Sequence, residues 1–170
     1  MTVLAVSSGT WIALGVAATL AILAARILAR RFGPRPLAVA PDDPEMLRAS
    51  ELARARLDEF ERLRGERPDD AYLKFVAPGE TEPPEHVWGR VLEASSSRFR
   101  VEPVASGPLD PDAAEAIEIP RDAIEDWQVE LADGRIAGGF TQRVLFAKGR
   151  AAWGRLPAEL AEAERRYAAD

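Results

Sequence analysis

The sequence predicts an α+β protein: an N-terminal transmembrane helix, then one small domain with an antiparallel β-sheet and flanking helices. Three observations carry this expectation. Residues 1–25 hold no charged side chain, and residues 43–65 repeat apolar side chains at helical steps. From Tyr72 onward the period falls to two, with connections too short for crossover helices.

The membrane span is expected at residues 8–28. Thr10 to Ala25 is almost entirely apolar, and a further turn on each side reaches the ~20 residues that cross a ~30 Å hydrocarbon core. Trp11 suits one interface and Arg26 can snorkel to the other. A cleaved signal peptide fits less well. No positive charge precedes the apolar run, and the small-residue site Ala38-Val39-Ala40 stands well beyond it and before Pro41. Arg26, Arg30, Arg31 and Arg35 all follow the span, which places the N-terminus outside and the soluble domain on the cytoplasmic side. Only two of the 22 basic residues are lysines, Lys74 and Lys148, and Ala, Arg, Gly and Pro abound. That bias belongs to a GC-rich bacterial genome, so the expected location is the bacterial inner membrane. Ala13, Ala17, Ala21 and Ala25 fall on one side of the span, where small side chains admit a second helix and hence homodimerisation. In so alanine-rich a chain, chance spacing is the simpler account.

Charge and composition narrow the function. Residues 1–40 contain four arginines and no acid, so a net charge of −6 for the chain leaves −10 for the remainder. A body this acidic repels phosphate backbones, which excludes a nucleic-acid partner. The absence of cysteine removes disulfides, thiol nucleophiles and thiolate metal sites.

A stiff linker is expected over residues 32–42, where Pro34, Pro36 and Pro41 exclude helix. The soluble domain spans residues 43–150. Its first helix, 43–65, takes Asp43 as N-cap, Pro44 as first helical residue and Gly65 as its stop. Met46, Ala49, Ala53, Leu57, Phe60 and Leu63 form its apolar stripe, while Asp58 and Arg62 can pair on the outer face. Strands are expected at 71–77, 86–93, 98–104, 115–119, 127–132, 135–137 and 142–147, with Asp133-Gly134 as the strongest hairpin signal. A C-terminal helix, 156–168, opens at Pro157 and carries Leu156, Leu160, Ala163 and Tyr167 on one stripe.

Chemistry is sparse. His86 is the sole histidine and follows Glu80, Glu82 and Glu85, but one imidazole offers none of the paired-histidine metal spacings. Ser95, Ser96 or Ser97 with His86 and Asp126 can be drawn as a triad, yet no nucleophile elbow surrounds those serines, and a loop between strands explains them better. Asp110-Pro111-Asp112 lacks the other ligands of a calcium loop and reads as a turn. Gly138-Gly139 can present amides to an anion, but without a completed phosphate motif the pair reads as a bulge or close chain approach. No catalytic residue, metal site or cofactor is assigned. Trp88 and Trp127 suit a core position in which Asp126, Glu85 or Thr141 receives an indole N–H.

Four segments resemble a known family in order and spacing: Tyr72-Leu73-Lys74-Phe75, Glu85-His86-Val87-Trp88, Ile124-Glu125-Asp126-Trp127 and Gly138-Gly139-Phe140-Thr141-Gln142-Arg143-Val144. Over residues 71–147 the chain resembles the bacterial domain-of-unknown-function family 2314. The resemblance implies a small domain often preceded by a helix, and brings no reaction with it. In the middle, where that family tends to carry a glycine and an Asn-x-Pro turn, residues 102–112 depart and only Pro108 corresponds.

The expectation is therefore a non-enzymatic binding module for a protein or peptide partner at the cytoplasmic membrane face. Its recognition surface is placed on the strands bearing Glu85, His86 and Trp88 and those bearing Thr141 and Arg143. A hydrolase-like enzyme using His86 with Glu85 or Asp126 is the alternative.

Overall fold

The computed structural model describes residues 37–79, 84–104 and 115–167. All belong to the second of the two units into which the chain divides, Leu37–Asp170. The expected span at 8–28 and its alanine stripe lie outside the described residues, as does Asp110-Pro111-Asp112. Among the described residues no helix is long and apolar enough to cross a membrane.

Helix α1, Pro44–Ala55, starts as its sequence requires. Asp43 accepts the backbone N–H groups of Glu45 at 3.0 Å and Met46 at 3.2 Å, and Pro44 occupies the first turn, where a missing N–H costs nothing. The single helix expected over 43–65 is broken at Arg56, after which α2 runs Leu57–Glu66. Gly65 is not the stop but lies inside α2. The helix ends because Arg67 precedes Pro68, whose ring drives the preceding residue out of the helical region, here to φ −136° and ψ 67°. Arg62 pairs with Glu66 at 2.9 Å.

Six strands follow: β1 Ala71–Val76, β2 His86–Ala94, β3 Arg98–Pro103, β4 Ile117–Pro120, β5 Ile124–Glu130 and β6 Ile136–Gly138. They form one sheet in the order β4-β3-β2-β1-β5-β6, with every strand pair antiparallel. The serine run is the β2–β3 turn, closed by Ser95 against Arg98. At the Asp133-Gly134 hairpin the Gly134 N–H bonds the Leu131 carbonyl at 2.9 Å and Gly134 takes φ +79°, a type I turn completed by a left-handed glycine.

Only Arg121–Ala123 separates β4 from β5 in the chain, although the two strands stand four strand spacings apart in the sheet. A flat sheet would set them ~19 Å apart, whereas four residue steps reach ~14 Å at most. The sheet must therefore coil, and its core face wraps the α1–α2 pair. Ala49, Ala53, Leu57, Phe60 and Leu63 pack there against Ala71, Leu73, Phe75, Val91, Phe99, Val101 and Val129. Phe60 links the layers, its ring 5.8 Å from Phe99 and 5.6 Å from Trp127. Burying each such ring is worth about 1.5–3 kcal/mol.

The strand expected at 142–147 is helical: those residues lie in α3, Phe140–Trp153. Phe140 and Val144, four residues apart, face the core, and Phe146, Gly149 and Trp153 make a second stripe at three- and four-residue steps. Arg56 stands over the Phe140 ring and Lys148 pairs with Asp43 and Glu45, so α3 runs antiparallel to α1. Helix α4, Ala158–Arg166, follows Pro157. It ends at Tyr167, which bridges to Ile136 and stacks edge-on with Phe146 at 5.5 Å.

Candidate functional site

The residues singled out in the sequence converge on the start of α3. Asp126 is fully buried on β5, and its carboxylate accepts four donors. One oxygen takes the N–H groups of Trp127 at 2.8 Å and Phe140 at 3.0 Å; the other takes the N–H and hydroxyl of Thr141, both at 2.7 Å. Two of these are first-turn amides of α3, which have no partner within their own helix. Asp126 is thus the cap of a helix that begins fourteen residues later. Burial pushes its carboxyl above the ordinary 3.8, and the four donors oppose that rise without cancelling it. Lys74, its cross-strand neighbour, reaches the Thr141 hydroxyl at 3.4 Å, bringing a positive charge toward the buried one.

Gly138-Gly139 makes this geometry attainable. Both residues have positive φ, +80° and +68°. A Cβ on Gly138 would stand 2.3 Å from the Trp127 carbonyl oxygen, and one on Gly139 would stand 2.1 Å from the Tyr167 ring. The pair is a close approach of chains, as its sequence suggests. The anion met by the following amides is the protein's own Asp126. Tyr167 closes the far side: burial first, then the Asp126 charge, pushes its hydroxyl up to about 12, and that hydroxyl bonds Gln128 at 3.2 Å.

The remaining candidates are divided between two faces. A register shift between Lys74 and Phe75 makes Glu125 an extra residue on β5. Trp127 therefore points into the core and Asp126 away from it. Accordingly the Trp127 indole N–H bonds none of the expected partners; it donates to the Ala53 carbonyl at 2.9 Å, at the end of α1. His86 and Trp88 project from the outer face of β2, the face that holds Lys74 and Asp126. His86 is exposed, and its Nδ1 lies 2.7 Å from Glu125, not from Glu85 or Asp126. The Asp126 carboxylate is fully taken up beneath the start of α3, so it is not placed to orient an imidazole. Glu85, just before β2, is exposed. Among the described residues no three His, Asp or Glu side chains converge on a metal position.

On the core side a cleft of about 330 Å³ opens beside the same glycines. Trp127 and Phe140 floor it, and Arg56, Arg62, Arg135 and Arg143 line it with Glu59. Arg143, a residue of α3 and not of a strand, donates from Nε to the Gly138 carbonyl at 3.1 Å. Arg56 pairs with Glu59 at 3.9 Å and Arg135 with Asp133 at 2.7 Å. From the sequence Arg62 is expected only as an outer-face partner of Asp58, and Arg56 and Arg135 carry no expectation, although Arg56, Glu59 and Arg62 recur at three-residue steps along one ridge of the helical segment. Nothing local connects that ridge to Arg135.

Comparisons of the chain with protein families, with curated proteins and with solved structures found no match.

Proposed function

We propose that this chain is a non-enzymatic binding module, anchored by residues 8–28 in a bacterial inner membrane with its domain on the cytoplasmic side, and related to the domain-of-unknown-function family 2314. The observation that carries the binding reading is the cleft beside Gly138. In a protein of net charge −6, four guanidinium groups and one carboxylate gather over an aromatic floor. Such a cleft suits an acidic segment of a protein partner, with an apolar side chain against Trp127 and Phe140 and a carboxylate in reach of Arg143. The ion pairs already present at Arg62 and Arg135 are exposed. Each is worth about 0–1 kcal/mol, so an incoming carboxylate exchanges them at small cost.

The full chain in detergent, titrated with a fluorescent Asp/Glu-rich peptide containing one leucine, tests the cleft. Binding that weakens about tenfold in Arg143→Ala and with added salt supports the reading. Equal binding by the variant overturns it. Topology is tested separately, with alkaline phosphatase or green fluorescent protein fused after residue 170; phosphatase activity there would place the domain outside.

A further inference from the structure

We infer a second, chemically different site: a receptor for a phosphate group, free or carried by a small monoester, between α2 and the β2–β3 turn. A cleft of about 590 Å³ lies there, lined by Glu61, Arg64, Ala94, Ser95, Ser96 and Arg121. Only one of these six is apolar, in contrast to the aromatic floor beside Gly138. Its volume falls within the range of small-molecule sites.

Arg64 is the central observation. Its Nε is buried without a hydrogen-bond partner, and its side chain makes no hydrogen bond or ion pair among the described residues. With Nε shut off from solvent, the two Nη groups are the donors that Arg64 offers to the cleft. Arg67 also has an unpartnered Nε, but its guanidinium is paired with Asp70 at 2.6 Å. Arg64 has no such neighbour among the described residues.

Arg121 supplies the second cation, held in place from three sides. Its guanidinium lies 4.9 Å from the centre of the Phe99 ring, and its Nη1 donates to Glu61 and, at 3.2 Å, to the Ser95 carbonyl. Among the described residues Nε and Nη2 have no partner and remain as donors. The Ser95 hydroxyl is engaged with Arg98, whereas Ser96 is exposed at the tip of the turn. Arg64, Arg121 and Ser96 line the same cleft, and two guanidinium groups with a hydroxyl form a donor set rich enough for the several oxygens of a phosphate oxyanion. Glu61 both positions Arg121 and competes with the ligand for it.

This site stands independently of the cleft beside Gly138. The experiment is phosphorus NMR of the full chain in a phosphate-free detergent, titrating inorganic phosphate and, separately, methyl phosphate, with acetate as competitor. Saturable broadening by both phosphates is expected, weakened about tenfold in Arg64→Gln and unchanged in Arg143→Ala. Because Arg64 makes no hydrogen bond or ion pair among the described residues, Arg64→Gln is expected to keep the wild-type circular dichroism. Glu61→Gln is expected to tighten binding, a gain that loss of structure cannot imitate. Saturation by inorganic phosphate but not by methyl phosphate supports the site with the free ion as its ligand. No saturable binding, equal binding by Arg64→Gln, or full displacement by equimolar acetate overturns the site.

Discussion

Helices α1 and α3 lie side by side, and each begins on an aspartate, but by opposite routes. Asp43 immediately precedes α1 and caps it within a single turn, in a half-buried position where Lys148 also holds it. Asp126 caps α3 from another element, buried, across the β5–β6 hairpin. The first arrangement is local and is written in adjacent residues. The second exists only after β5, β6 and the two glycines have been assembled, so it couples the helix to the sheet and makes its start a tertiary event.

The difference can be broken at its hinge. Gly138→Ala places a Cβ against the Trp127 carbonyl and ring at a positive φ. Strain and overpacking together are expected to cost about 4 kcal/mol or more, read as loss of cooperative urea unfolding. Next in size, Asp126→Ala strands four buried donors and is expected to cost about 3 kcal/mol. It should also lower α3 helicity by circular dichroism; an unchanged unfolding midpoint would mean that Asp126 does not hold the start of α3. Thr141→Val keeps the amide bond and removes only the hydroxyl, for about 1–2 kcal/mol. Asp43→Ala is expected to cost less than Asp126→Ala, because it releases two backbone donors at a half-buried helix end and not four buried ones.

The two caps should also respond to pH with opposite sign. Burial raises Asp126, so between 3.8 and its raised value the native state holds more protons than the unfolded one. Its contribution is fully present below 3.8 and is lost as pH rises through that window. Asp43 is lowered, chiefly by its hydrogen bond from Lys148, so its contribution is present above 3.8 and is lost as pH falls through the lowered value. Unfolding curves of wild type, Asp126→Asn and Asp43→Asn from pH 3 to 7 measure both. Difference slopes of the same sign would refute the contrast.

The same distinction explains which elements were legible in the sequence. Strands β1, β2, β3 and β6 fall within a residue or so of where alternation put them, and the Asp133-Gly134 turn carries its own chemistry. Residues 142–147 misled because Gln142-Arg143-Val144-Leu145-Phe146 is too short to separate the two periods. What decides for helix is an acceptor sixteen residues before Gln142 in the sequence. The Trp127 indole was matched to polar residues near it in the chain, whereas the β5 bulge turns it inward to a carbonyl at the end of α1. Of the candidate cluster, Trp127, Gly138 and Arg143 meet at one cleft and His86 and Trp88 lie on the opposite face. Alternation places side chains on faces, but only the coiled sheet decides what stands over each face.

The sequence by itself determined the elements whose physics is contained within a few residues: the Asp43 cap, the apolar stripe of α1 and α2, the two-residue alternation and the turn glycines. Their forces act between neighbours in the chain. Tertiary structure alone decided the helical state of residues 140–153, the use of Asp126 as a buried cap, and the gathering of arginines from α2, the β5–β6 turn and α3 around one cleft. Each of these depends on groups brought together from distant parts of the chain, and a buried charge or an arginine has its partners set by the assembled fold.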